Sequence, residues 1–139
     1  MRYRKEREGY LIRLDIEEKV EESLIDLTRR DGIDAAHFWG IGAVKDIVLG
    51  YYDLSDKTYR RSDLPGTREL VSLTGSLAQT PEGPILHIHA VLADEKHRTV
   101  GGHVFSLTVA ATVEIYLTTL YGGLMRRYDD RTGLKLLDV

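Results

Sequence analysis

The sequence predicts an α/β chain of the α+β type, in which a mainly antiparallel or mixed sheet carries one flanking helix. Three observations lead to this prediction: one amphipathic helical pattern near the N-terminus, a long series of β-rich segments after it, and short connections between those segments. Short connections favour antiparallel neighbours, because a parallel pair requires a crossover of about a dozen residues or more. A chain of 139 residues has the usual size of one domain, with a core expected between about residues 10 and 137.

The first strand and the helix follow each other closely. Residues 10–14 are rich in β-favouring side chains and end at Asp15. Asp15 and Glu18 have the spacing of a capping box, in which the two side chains bond otherwise free backbone amides, so we expect the helix to begin there. Gly32 is typical of a helix end. The helix carries apolar residues at positions i, i+4 and i+7, namely Val20, Leu24 and Leu27.

The remainder of the chain predicts five further strands separated by turns. The glycine step at residues 40–42 separates the first two of these strands, and residues 110–112 could be helical. Residues 129–133 have turn composition and precede a short apolar end. The expected strands cover residues 33–38, 44–54, 69–77, 85–93 and 104–117.

The composition excludes several classes of chemistry. The chain has no cysteine, so disulfides, thiolate zinc sites and cysteine nucleophiles are ruled out, and any transition-metal site must rest on histidine and carboxylate. The N-terminus lacks the apolar core of a signal peptide, and no apolar run reaches the roughly 18 residues of a membrane span. These features predict a cytoplasmic protein without membrane contact.

The net charge argues against unaided binding to DNA. The chain carries a formal charge of −3, whereas a domain that wraps nucleic acid is usually basic. Local basic clusters occur at residues 2–5, 60–61 and 126–127. We interpret each as solvated surface, although an oligomer could gather several copies on one face.

The most informative chemical feature is a set of three histidines. In a strand, His87 and His89 project from the same face about 6.6 Å apart, close enough to converge on one ion. Thirteen residues separate His89 from His103, a length that lets the next strand return and present a third nitrogen. Such a set resembles open sites for zinc or another divalent transition metal. The alternative is a polar face turned to solvent or to a neighbouring subunit. The opposite face of this strand is wholly apolar and is expected in the core: Leu86, Ile88, Ala90 and Leu92.

Other candidate residues carry weaker signals. Glu114 and Asp46 are weak candidates for a general base, because each acid lies in an apolar, β-rich stretch; the alternative is a structural hydrogen bond. His37 could belong to the core or line a pocket, and His97 is expected to be exposed. Nucleophile elbows, phosphate loops and dinucleotide fingerprints are absent. We therefore interpret the glycine step at residues 40–42 as a backbone bend.

Six runs of residues, in this order, resemble the PPC domain, the plants-and-prokaryotes conserved domain. The resemblance extends over nearly the whole chain. The runs are AAHFWGIGAV at residues 35–44, LGYY at 49–52, ELVSLTGS at 69–76, HIHA at 87–90, VGGH at 100–103 and AATVE at 110–114.

The resemblance implies an α/β fold with a mainly antiparallel sheet that assembles as a homotrimer. It also implies that His87, His89 and His103 occupy positions of a metal-capable cluster. Plant members of the family carry an AT-hook before this domain and belong to nuclear, DNA-associated regulators, and prokaryotic members are described as predicted DNA-binding proteins. This chain has no Arg-Gly-Arg-Pro hook, so the part that enters the minor groove is missing.

Three interpretations of function stay open at this point. The first is a trimeric regulatory or DNA-associated binding module, and it is slightly favoured over an enzyme. The second is a metal-dependent small-molecule enzyme or metabolite-binding protein, with a pocket around the histidines at a subunit boundary and with Trp39, Tyr51 and Tyr52 as candidate lining residues. The third is a structural oligomer with ordinary surface histidines.

Overall fold

A computed structural model describes residues 1–139 and contains one nine-stranded sheet and one helix. All strand pairs are antiparallel except a short parallel contact at Gln79 and Met125. The predicted sheet-dominated fold with one helix is confirmed. The elements are β1 (Arg2–Glu6), β2 (Gly9–Leu14), α1 (Val20–Asp31), β3 (Ala36–Asp53), β4 (Thr58–Leu64), β5 (Arg68–Thr80), β6 (Gly83–Ala93), β7 (Thr99–Thr119), β8 (Met125–Asp129) and β9 (Leu134–Asp138).

The helix α1 lies where the sequence predicts it, but it begins at Val20 instead of directly after Asp15. Only half of the capping box forms: Glu18 accepts a hydrogen bond from the Asp15 amide at 2.8 Å, while the Asp15 carboxylate pairs with Arg13. The helix ends at Gly32, whose φ of 66° is a left-handed conformation that glycine adopts without strain. With 12 residues and both acids and arginines among them, α1 has neither the length nor the apolarity of a transmembrane helix.

The long strand β3 corrects the prediction of two strands at residues 33–38 and 44–54. Between Gly40 and Gly42 the register with β5 shifts, which is a bulge that bends a strand without ending it. A Cβ atom at Gly40 would lie 2.5 Å from the carbonyl oxygen of Glu114, so glycine allows β3 and β7 to approach closely. The glycine step therefore keeps one strand continuous.

Two other parts of the sheet differ from the prediction, and a third extends it. Residues 110–112 lie inside β7 and are not helical. The strand β1 was not predicted, because its side chains are exposed and mostly charged and show no alternation. The turn at residues 129–133 was expected, and the structure adds that it joins the hairpin of β8 and β9.

One cluster of 24 buried residues forms the core between α1 and the sheet. The inner face of β6 contributes Ile88, Ala90 and Leu92, which are at most 3% exposed, whereas Leu86 is only partly buried. Because side chains alternate along a strand, His87 and His89 lie on the outer face, away from α1.

Candidate metal centre

Strand register brings the three predicted histidines together on the outer face of the sheet. In the antiparallel pair of β6 and β7, His89 lies directly opposite His103. His87 lies two residues from His89 on β6, and its neighbour across β5 is Ser76. The predicted proximity of the three side chains is therefore present.

The distances within this cluster suit a single ion. The ring centroids of His87, His89 and His103 lie 5.1, 5.4 and 5.5 Å apart, and one nitrogen from each ring lies within 4.8 Å of the other two. Ligand nitrogens around a tetrahedral zinc ion lie about 3.3 Å apart, so modest side-chain rotations would close the set. The Nδ1 atom of His103 is buried without a hydrogen-bond partner. These residues fit zinc or another imidazole-binding divalent metal.

The local environment keeps two of these imidazoles neutral. Burial, followed by the charges of His87 and His89, lowers the pKa of His103 to about 4. Burial and the positive charge of Arg126 also lower the pKa of His87 below its ordinary value of 6.5. Neutral imidazole is the form that binds metal, so His87 and His103 can coordinate an ion at neutral pH without first losing a proton.

An aromatic wall beside His103 was missed by the sequence analysis. The rings of Tyr59 and Phe105 lie 4.9 and 5.0 Å from the His103 ring. Gly50 faces His103 from β3, and a Cβ atom there would lie 2.5 Å from Phe105 and 3.0 Å from Tyr59. A glycine inside a strand pattern can mark such a close approach, and that signal could have located the wall.

A buried arginine beside His87 was also missed, since Arg126–Arg127 were interpreted as solvated surface. Arg126 is only 7% exposed. Its Nη2 atom lies 3.2 Å from the Ser76 hydroxyl and 3.3 Å from Nδ1 of His87, and its Nη1 atom donates to the carbonyl of Lys135 at 3.0 Å. Arginine cannot accept a hydrogen bond, so Nδ1 of His87 is the acceptor and the ring proton is assigned to Nε2. A metal bound at either nitrogen of His87 breaks this contact.

A cavity of about 250 Å³ lies between the histidines and the C-terminal hairpin. Its lining includes His87, His103, Arg126 and Lys135 together with apolar side chains, among them Leu134 and Leu136. Tyr59 is the tyrosine in its wall, and this residue was not among the predicted lining aromatics.

The three predicted pocket aromatics lie elsewhere. Trp39 is half-exposed and stacks on Tyr116 with ring centroids 4.2 Å apart. Tyr51 is 71% exposed, and the hydroxyl of Tyr52 donates to the carbonyl of Thr132 at 2.7 Å. None of the three lines the cavity, so a pocket role for them at a subunit boundary stays a prediction.

The candidate acids do not join the histidine cluster. Glu114 and Asp46 are both exposed, so burial does not oblige either carboxylate to find a partner. Their assignment as a catalytic base stays a prediction. His37 is exposed on β3, and His97 is exposed in its turn as expected.

Comparison with known proteins places the chain in a family. The model of the Plants and Prokaryotes Conserved (PCC) domain matches residues 1–121. The chain belongs to this family, the one that its sequence resembles and that is also abbreviated PPC.

Solved structures with the same fold give further context. A metal-containing protein from Archaeoglobus fulgidus is 33% identical, with 100% of both chains covered and a TM-score of 0.86. A protein from Ralstonia eutropha described as a predicted DNA-binding protein is 29% identical over 99% of this chain and 95% of its own, with a TM-score of 0.90. A PPC protein from Pyrococcus horikoshii has the same identity and coverage, with a TM-score of 0.89. No curated protein matches the chain.

Proposed function

We propose that this PPC-domain protein is a cytoplasmic binding module that acts as a homotrimer and holds one divalent transition metal ion through His87, His89 and His103. The observation that carries the proposal is the convergence of three imidazoles on one sheet face, with an unpartnered buried nitrogen among them. The metal-containing relative from Archaeoglobus fulgidus supports it. Zinc is the ion that a three-histidine set with an open fourth position fits best.

The chain's own residues shape what the ion can do. When bound, the metal supplies a Lewis acid with a free position for water or a ligand oxygen. Tyr59 and Phe105 limit the access of water to His103, which strengthens electrostatic interactions there. Ser76 lies within hydrogen-bond distance of Arg126 and so helps to hold the arginine beside His87.

The first test is elemental analysis of the purified, untagged protein after incubation with zinc and removal of excess metal. We expect about one zinc ion per chain in the wild type and almost none in His89→Ala. His37→Ala is the matched control, because it removes an exposed histidine outside the cluster and leaves zinc uptake unchanged. Equal zinc content in His89→Ala and the wild type contradicts the site.

Self-association is supported by an apolar strip on the outer sheet face, where Trp39 lies in register with Thr74 and, one strand further, with His89. Trp39, Ile41 and Tyr116 are 51%, 50% and 40% exposed and lie on the adjacent strands β3 and β7. Exposed apolar patches of this kind mark interfaces between proteins. Light scattering should give three times the chain mass of 15.7 kDa, and Trp39→Asp should lower it. A wild-type mass of one chain contradicts the trimer.

DNA association is a second candidate, and the relative from Ralstonia eutropha favours it. The ion pairs of the chain favour DNA association less, because acids neutralise two of the residues in its basic clusters. Arg60 pairs with Asp56, and Arg127 pairs with Asp138. A fluorescence anisotropy titration with a duplex DNA at low and high salt tests it. Binding that weakens steeply with salt supports DNA contact, and no binding at low salt contradicts it.

A metal-dependent enzyme or metabolite-binding protein that uses the same histidines is the alternative to the binding module. The cavity beside His87 and His103 favours this alternative. Turnover in a screen of hydrolytic substrates that disappears in His89→Ala would support the enzyme, whereas metal binding without turnover favours the binding module.

A further inference from the structure

Arg126 is the one charged residue among the buried residues of the chain, and it has no counter-ion. No carboxylate lies within 4.0 Å of its guanidinium group, and all its hydrogen-bond partners are neutral. Its Nε atom is buried and bonds to nothing. An uncompensated buried charge is costly, which is why buried arginines are normally paired with an anion.

Two acids of the C-terminal hairpin, and a third that pairs with the hairpin residue Lys135, are already engaged. Asp138 pairs with Arg127 at 2.5 Å, and Glu82 pairs with Lys135 at 2.6 Å. Asp129 accepts hydrogen bonds from the backbone and side chain of Thr132. These three carboxylates therefore have partners other than Arg126.

Arg126 lines the cavity of about 250 Å³ described above, together with apolar side chains and with Lys135, which pairs with Glu82. Sites for drug-sized ligands occupy roughly 300–1,000 Å³, so this one suits a smaller molecule. Oxyanions match the planar guanidinium fork, which can donate two parallel hydrogen bonds to one carboxylate or phosphate group.

We infer that this cavity binds a small organic anion, with its carboxylate or phosphate group on Arg126 and its apolar part against Leu134 and Leu136. The ligand completes the charge balance that the chain leaves open. Its oxyanion group lies beside His87, one of the residues that would hold the metal.

Metal and anion should assist each other. A metal on His87 breaks the contact with Nη2 of Arg126, and Nη2 then joins the unbonded Nε as a free donor edge. This coupling rests on the proposed metal function, whereas the anion site itself rests on Arg126 and the cavity.

Calorimetric titration of the full chain with benzoate tests the site, with benzamide as a neutral molecule of the same shape. Inorganic phosphate is the third probe and distinguishes the two oxyanion types. We expect one benzoate or phosphate ion per chain, and benzamide to bind at least about tenfold more weakly, because it lacks the charge that Arg126 recognises. Equal affinity for benzoate and benzamide, or no saturable binding of either anion, overturns the proposal.

Substitutions of Arg126 test whether this residue binds the anion. Arg126→Gln should weaken the anion by about tenfold to a hundredfold, and Arg126→Lys should weaken it less, because it keeps the charge but loses the fork. Arg127→Gln is the control, since that neighbouring arginine is exposed, and it should bind like the wild type. Thermal unfolding checks that each variant folds. If Arg126→Gln does not fold, Arg126→Lys and the wild-type comparison of benzoate with benzamide still decide.

Repeating the titration with zinc-loaded protein separates this inference from the metal proposal. Zinc should strengthen anion binding in the wild type and have no effect in His89→Ala. Anion binding that depends on Arg126 but not on zinc removes the coupling and retains the site. Zinc uptake without any anion binding retains the metal centre and overturns the inference.

Discussion

The two faces of the sheet at β6 and β7 differ in whether their buried side chains find partners within the chain. On the inner face, Ile88 and Leu92 are at most 2% exposed and pack in the apolar core, so the chain itself satisfies them. On the outer face, Nδ1 of His103 and Nε of Arg126 are buried without partners. Around β6 and β7, the unsatisfied nitrogens therefore lie beside the histidines, and native proteins seldom leave such buried groups without a partner.

The largest expected effect is the difference in the free energy of unfolding between an alanine substitution on the inner face and one on the outer face. Leu92→Ala should lower the free energy of unfolding by about 2–5 kcal/mol, because it leaves a cavity in the core. His89→Ala on the exposed face should change it by no more than about 0.5 kcal/mol in metal-free protein. Urea unfolding measures both, and similar losses would break the distinction between the faces.

Zinc bound at the outer face should stabilise the folded protein. At a free concentration of about 100 times its dissociation constant, a ligand of the folded state adds about 2.7 kcal/mol. Thermal unfolding with and without zinc measures the gain. His89→Ala should lose the gain and His37→Ala should keep it; an equal gain in both variants would place the zinc elsewhere.

A substitution beside the aromatic wall of Tyr59 and Phe105 should have a smaller effect on the free energy of unfolding. Gly50→Ala should cost about 1–3 kcal/mol, because its Cβ atom displaces Phe105 and Tyr59. The displaced rings then no longer hold His103, so zinc affinity should also fall. Gly66→Ala is the control for an added methyl group in open space; its φ of 75° adds strain but leaves zinc affinity unchanged. Unaltered zinc affinity in Gly50→Ala would show that the wall does not support the cluster.

The smallest expected effect concerns the inner side, where Glu21 of α1 accepts a hydrogen bond from the Leu107 amide at 3.3 Å while its Oε1 atom is unpartnered. Burial raises the pKa of Glu21 above its ordinary value of 4.5. The fold thus favours the protonated form, so stability is lost as the pH rises through the native pKa. Glu21→Gln removes the charge and should be more stable by roughly 1 kcal/mol at pH 7.

Urea unfolding at several pH values checks this assignment. Below pH 4.5, wild type and Glu21→Gln should converge, because both then carry a neutral side chain. Glu22→Gln is the matched control: its side chain is 69% exposed and pairs with Lys19, so it should show no such pH-dependent gain. A Glu21→Gln gain that is the same at every pH would point to packing instead of charge.

Local patterns predicted the parts of the site that lie on one strand or on strands in simple register. Alternation along β6 placed His87 and His89 opposite an apolar face, and the length of the connection suggested that His103 would lie opposite them. The stripe of Val20, Leu24 and Leu27 likewise predicted the buried side of α1. These patterns succeed because each depends only on backbone periodicity.

Residues that meet through long-range packing were missed. Tyr59 reaches His103 only because β4 pairs with β3, where Gly50 leaves room for its ring. Arg126 reaches His87 only because β8 adds beside β5 and carries a basic residue inward. In the sequence, such a basic pair is typical of surface, and no local pattern distinguishes its buried member.

The sequence by itself determined the sheet-dominated architecture, the helix, the family and the histidine set, since periodicity and residue type carry that information along the chain. The tertiary structure alone decided that β3 is one bulged strand, that the acids Glu114 and Asp46 stay away from the histidines, and that Arg126 is buried without a counter-ion. The physical reason is that burial and charge pairing depend on which strands become neighbours, and neighbouring strands are separated by many residues of sequence.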